Sequence, residues 1–333
     1  MICALILGGA ALSVARPVFA PVAFALFVIA IVWPFQRRLQ AVLPKILALA
    51  VSIVVTTLVV MLFGSLISWG ISRVVRAVMN DAARLQTLYA QMADWLENHG
   101  IILAGLWAEH FNIRWLIRLL PEVTNRINST ATFLFVVLIY VILGLLEVDE
   151  AARKLGATGR WPAGHVLLLG GAKTAAKLRR FMLVRTLMSA MTGVLVWAFA
   201  AFAGLDLAPE WGVIAFAFNY IPVIGPLVAT VLPTLYAMAQ FASWEMGLTL
   251  FLGLNLIQFL VGSYLEPRVA GSALSLSPFM ILFSVFFWTF LWGIAGAFIG
   301  VPIMIAIVTM CEQHPASRWV ADLLGSGAER APP

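Results

Sequence analysis

The chain has 333 residues, of which 62% are hydrophobic and 11% charged, with net charge +6 and mean hydropathy +1.00. A water-soluble domain is about half apolar and about a quarter charged, so this composition excludes a soluble globular protein and describes an all-α, polytopic integral membrane protein. The basic excess reads as positive-inside bias, not as a surface for nucleic acid; Cys3 and Cys311, near opposite ends, give no disulfide framework.

Taken in order, Met1 to Ala15 is a short apolar first span, closed by a turn at Arg16-Pro17. Pro17 to Gln36 is an uncharged second span, followed by Arg37, Arg38 and Lys45, which mark the cytoplasmic face. Ile46 to Ser72 is a long third span. Residues 73–126 differ in kind. Between Arg73 and Glu122 five arginines balance five acids, and Leu85, Leu88, Met92, Trp95 and Leu96 recur at helical spacing. This neutral segment is expected to be an extramembrane helical insert on the outer face.

Ile127 to Leu146 is the fourth span. The segment 147–185 then holds eight Lys or Arg against three acids, the strongest inside signal in the chain. Gly170-Gly171-Ala172-Lys173-Thr174 lacks the Gly-Lys-Ser/Thr order of a phosphate loop. A basic amphipathic helix on the inner membrane surface accounts better for Lys173, Lys177 and Arg180. Thr186 to Leu205 is the fifth span, and Asp206 and Glu210 form a short outer loop.

Trp211 to Trp244 runs 34 residues without a charge. One span takes about 20 residues, so this stretch is too long for one and too short for two. At its middle stands Asn219-Tyr220-Ile221-Pro222-Val223-Ile224-Gly225-Pro226. Two prolines remove backbone donors and Gly225 permits positive φ, so the helix should break here. The expected form is a re-entrant hairpin returning at Ser243 to Glu245, with a single kinked span as the alternative. A break at membrane depth persists only where protein or a wet cavity satisfies the backbone, and broken helices are where many transporters bind cargo.

Met246 to Leu265 crosses next, carrying Asn255, Gln258 and Tyr264, and Glu266-Pro267-Arg268 closes it. Val269 to Cys311 is again uncharged; Ser277 is placed to cap a helix beginning at Pro278, and Trp292-Gly293-Ile294-Ala295-Gly296 is expected to turn it into a second helix. The expected divisions are three spans at 1–72, the insert at 73–126, a transport region at 127–312 with its basic inner segment 147–185, and a flexible tail at 313–333.

Three pieces in order carry a family resemblance: Asn219 to Pro226, Glu266-Pro267-Arg268 with Leu274-Ser275-Leu276-Ser277-Pro278, and Trp292-Gly293-Ile294-Ala295-Gly296 through Gly300-Val301-Pro302. They resemble the AI-2E family transporters, with an Ile-Pro-x-x-Gly-Pro signature and a Gly-x-x-Gly…Val-Pro ending. Where that family often has a His before the proline, this chain has Ser277. The resemblance implies about eight passes in the bacterial inner membrane, both ends cytoplasmic, a homo-oligomer (a pentamer) and elevator-like carriage. The cargo it implies is either the signal autoinducer-2, exported, or sodium or lithium exchanged for protons.

The candidate site comprises Asn219, Tyr220, Pro222, Gly225 and Pro226 at the break, Asn255 and Gln258 three apart on the next helix, and Glu266, Arg268 and Ser277 beyond it. Asn219, Tyr220 and freed carbonyls near Pro222 would take hydroxyls or a cation. Glu266, the sole acid between Glu245 and Glu312, would take a proton. The sequence offers no nucleophile–base pair, metal-ligand set or cofactor loop, so neither enzyme chemistry nor a cofactor nor a metal is expected. The partners expected are the bilayer and a small polar solute or a monovalent cation or proton. A non-transporting membrane partner protein is the remaining class, in which the 73–126 insert would matter most.

Overall fold

The structure is a computed structural model that describes residues 9–80, 114–157, 162–270 and 276–325. Among these residues the fold is all-α, with one isolated bridge pair, Leu276 with Gly325. In lipid a helix satisfies its own backbone, and the long uncharged runs take that solution. The helices are α1 (Arg16–Gln40), α2 (Lys45–Asn80), α3 (Arg114–Ala157), α4 (Pro162–Phe202), α5 (Ala208–Phe218), α6 (Ile224–Phe241), α7 (Trp244–Gln258), a π-helix (Phe259–Leu265), α8 (Glu266–Ala270), α9 (Pro278–Trp292), α10 (Ile294–Glu312) and α11 (Arg318–Leu324). Seven helical stretches among the described residues are long and apolar enough to cross a membrane, and α5 and α9 are shorter apolar helices. This is a polytopic membrane protein.

Several boundaries differ from the sequence reading. Residues 9–14 are helical and the break falls at Ala15, one residue before the expected turn, because Pro17 fits the first turn of α1. The basic segment is not a separate surface helix. Pro162–Phe202 is one continuous helix, and Lys173 and Lys177 point to the end of α10, donating to Gln313 Oε1 at 2.8 Å and Glu312 Oε2 at 3.0 Å. Glu266-Pro267-Arg268 does not close its helix either. A π turn precedes it, with the Glu266 N–H bonded to Val261 O, and the helix runs on to Ala270. The tail, read as flexible, carries α11, tied back where Ser277 N–H donates to Leu324 O at 3.4 Å. Residues 81–113 of the insert lie outside the described residues, while 73–80 and 114–126 are continuations of α2 and α3.

Two compact units share the chain. One is built from residues 1–61, 132–186 and 267–333, the other from 62–131 and 187–266. In the first, α1 packs on α3 through Ala25, Ile29, Val137, Val141 and Leu145. At one end of that contact the Trp33 indole and the Arg37 guanidinium both meet Asp149, at 3.2 and 3.8 Å. The α9–α10 hairpin turns at Gly293, whose φ of 65° suits glycine. Ser277 caps α9, its hydroxyl accepting from Met280 N–H at 3.3 Å, as its place before Pro278 predicts.

The second unit packs α4, α5, α6 and α7 with the last turns of α2 around Trp211, Ile214, Tyr236, Leu250 and Leu254. Glycines set its spacing. A Cβ on Gly193 of α4 would lie 2.8 Å from the Gly212 carbonyl of α5, so only paired small residues let these backbones meet.

Candidate functional site

The 211–244 stretch folds as two helices, α5 and α6, separated by residues 219–223. They fold back on each other. Trp211 near the start of α5 meets Tyr236 near the end of α6, with ring centroids 5.6 Å apart. The Gln240 amide brackets the loop before α5, donating to Gly204 O and accepting from Asp206 N–H, both at 2.8 Å.

The break itself is sharper than proline alone would make it. Val223 has φ 67° and ψ −54°, and Ile224 N–H donates to Pro222 O at 2.8 Å. That is a γ-turn of the rare positive-φ kind, a strained form, here on a β-branched residue for which positive φ is an outlier. Gly225, expected to supply the positive φ, sits instead in the first turn of α6. Its role is steric, since a Cβ there would overlap the Phe218 carbonyl. The carbonyls freed by the prolines are largely taken locally: Phe218 O accepts from Ile221 N–H, Ile221 O from Gly225 N–H and Val223 O from Leu227 N–H. Pro222 and Pro226 therefore shape the turn, and the Pro222 carbonyl is engaged within it.

Side chains supply the polar surface at this depth. Asn219 is 4% exposed and its Nδ2 donates to Ser189 Oγ at 3.4 Å and Thr192 Oγ1 at 3.5 Å, long bonds to two fully buried hydroxyls of α4. Sequence reasoning missed both hydroxyls. They stand three apart on one helical face inside an apolar run, and that spacing was the available signal. Tyr220 is buried with its ring edge-on to Phe63 and Phe216, at 5.5 and 5.7 Å. Thr230 and Thr234 bond to carbonyls of their own helix.

Gln258 lies on α7, the helix that follows this hairpin. Gly247 of α7 abuts Met238 of α6, and these helices run in opposite directions. Gln258 lies eleven residues along α7 from that contact, at the end of the helix. The Gln258 Nε2 is buried and makes no hydrogen bond, an orphan donor of the kind that marks a ligand or water position. The π-helix begins at the next residue, and π turns are frequent at functional sites.

The remaining predicted residues lie elsewhere. Asn255 is exposed and its Nδ2 donates to Phe251 O at 2.7 Å, so it does not join Gln258. Glu266 is half-buried in the second unit, at the far end of the π-helix from Gln258. Arg268, exposed, and Ser277, engaged as a cap, belong to the first unit. Among the described residues no group of His, Cys, Asp or Glu is arranged to hold a metal ion. What Asn219, Ser189 and Thr192 offer together is neutral: one carboxamide and two hydroxyls, able to exchange hydrogen bonds with an uncharged polar molecule.

The family model for AI-2E family transporters matches residues 1–316. The chain is similar to the AI-2 transport protein TqsA of Escherichia coli K12, 25% identical over 93% of this chain and 90% of that protein. It is 23% identical to a Haemophilus influenzae protein whose name proposes a transport role, over 97% of this chain and 94% of that one. A Borreliella burgdorferi protein named in the same way is 30% identical over 58% of this chain and 54% of its own length. A helix pair broken at Asn219 to Val223, set among membrane-length helices and matched along nearly the whole chain, places this protein in the AI-2E transporter family.

Proposed function

We propose that this protein is a secondary carrier in the bacterial inner membrane that moves a small, uncharged, hydroxyl-bearing solute outward, autoinducer-2-like in its chemistry. The observation that carries the reading is the buried neutral set at the break, Asn219 against Ser189 and Thr192; the orphan Gln258 amide on α7 is a further neutral donor. Carboxamides and hydroxyls bind hydroxyls without the desolvation cost of a buried charge, which suits a site that must also release its cargo. The name of the Escherichia coli relative supports the same class of solute. The α5–α6 hairpin is re-entrant in this reading, the basic segment 147–185 faces the cytoplasm, and the carrier works as a homo-oligomer.

The test is efflux of labelled autoinducer-2 from inverted vesicles or proteoliposomes. Asn219→Ala and Gln258→Ala should each lower transport at least about tenfold, the worth of one or two buried hydrogen bonds, with the protein still folded and inserted. Unchanged efflux in both would remove the site.

One observation favours a second reading, sodium or lithium exchanged for protons. Glu266 is half-buried directly after the π-helix, and an acid so placed in a membrane helix marks an ion path by default. Proton movement on a sodium pulse that vanishes in Glu266→Gln would establish it, and absence of movement in inserted wild-type protein would exclude it for those ions.

A further inference from the structure

A groove of about 590 Å³ opens in the second unit between one face of α2 and the start of α5. Trp69, Arg73 and Arg76 line one wall at helical spacing, and Leu207, Pro209 and Glu210 line the other. Its charges are unequal. The Glu210 carboxylate is 2% exposed and is held by Arg73 Nη1 at 2.8 Å. It also lies in the first turn of α5, where it offsets the positive end of that helix. Arg73 lies over the Trp69 ring, 5.5 Å from its centroid. Arg76 is exposed and makes no ion pair among the described residues. One guanidinium therefore stands uncompensated beside aromatic and apolar walls.

The position of the groove says what would fill it. The apolar part of α2 leading up to it is bare, with Leu62 70% exposed and only 11% of the most apolar window of α2 buried. Such an apolar surface suits acyl chains, and Trp69, between the uncharged run of α2 and Arg73, has the place in sequence that interfacial tryptophans take. Arginine's planar fork matches phosphate oxygens in pairs. We propose that this groove binds the phosphate of an anionic lipid headgroup, with Arg76 as its principal ligand and Trp69, Leu207 and Pro209 against the glycerol and first methylenes.

The experiment is native mass spectrometry of the full-length protein released from membranes of phosphatidylglycerol and phosphatidylcholine with matched chains. Wild type should retain phosphatidylglycerol preferentially, Arg76→Gln should lose that preference about tenfold, as expected for one charge-assisted contact, and Arg76→Lys should recover part of it. Thermal melts report folding, which an exposed, unpaired arginine does not govern. Equal retention by wild type and Arg76→Gln overturns the proposal. Displacement of bound phosphatidylglycerol by soluble glycerol phosphate at matched concentration also overturns it, in favour of a soluble anion.

Discussion

Val223 and Gly225 exchange the roles their residue types suggest. The β-branched residue holds φ 67° and the glycine lies in a helix. A strained backbone of this kind costs about 1–3 kcal/mol, while glycine adds somewhat less in unfolded-state freedom. Val223→Gly should therefore stabilise the protein by about 1 kcal/mol, read as a raised melting temperature in detergent; a lowered one would mean that the strain is absent. Gly225→Ala should do the reverse. Its Cβ would meet backbone at Phe218, which cannot swing aside, so a loss of about 3 kcal/mol is expected in the same melt. The sequence announces that the chain breaks between Asn219 and Pro226, because proline and glycine act locally. It does not announce which residue takes the positive φ, because packing of Phe218 against Gly225 decides that. Ser189 and Thr192 are hidden for a similar reason: a hydroxyl on an apolar helix commonly bonds its own backbone, and only the α4–α5 approach turns these two toward Asn219.

Among the elements, α5 is short and depends on what holds its start. Arg73 of α2 and Glu210 of α5 form a pair 2.8 Å apart in which the acid is buried and the base half-exposed. Arg73→Ala leaves a buried carboxylate alone and should cost about 2 kcal/mol, below the roughly 3–5 of a fully buried pair because water reaches the arginine side. Arg73→Ala with Glu210→Leu should recover most of that in chemical or thermal unfolding, since no charge is then stranded. Failure to recover would assign the cost to lost packing over Trp69. Such a pair could not be read from the chain, because its members lie far apart in sequence and Glu210 reads as a loop acid. The continuity of α4 was equally unreadable. Its basic residues suggest a surface segment, yet Lys173 and Lys177 find Gln313 and Glu312 and the helix carries through.

At the scale of the whole molecule, the layout of spans was legible because a membrane imposes length and apolarity, and both are properties of composition. The two units were not. Each is assembled from separated stretches, with boundaries inside α2, α3 and α4, so no linear division of the sequence reproduces them. At about 1.5 Å per residue the 36 residues of α2 extend about 54 Å, well beyond a hydrocarbon core of about 30 Å. Single cysteines replacing Val42 and Asn80 should therefore react with an impermeant maleimide from opposite sides of the membrane; labelling of both from one side would remove α2 as a span. The π-helix at Phe259–Leu265 bears on how this chain can change length over generations. A π turn houses one residue more than an α turn. Loss of a single codon within it restores ordinary spacing and leaves Glu266 and Pro267 facing as they do now. The same loss within α7 rotates everything downstream by about 100°. The segment is thus a place where the gene can shed one residue and keep the faces of the helix in phase.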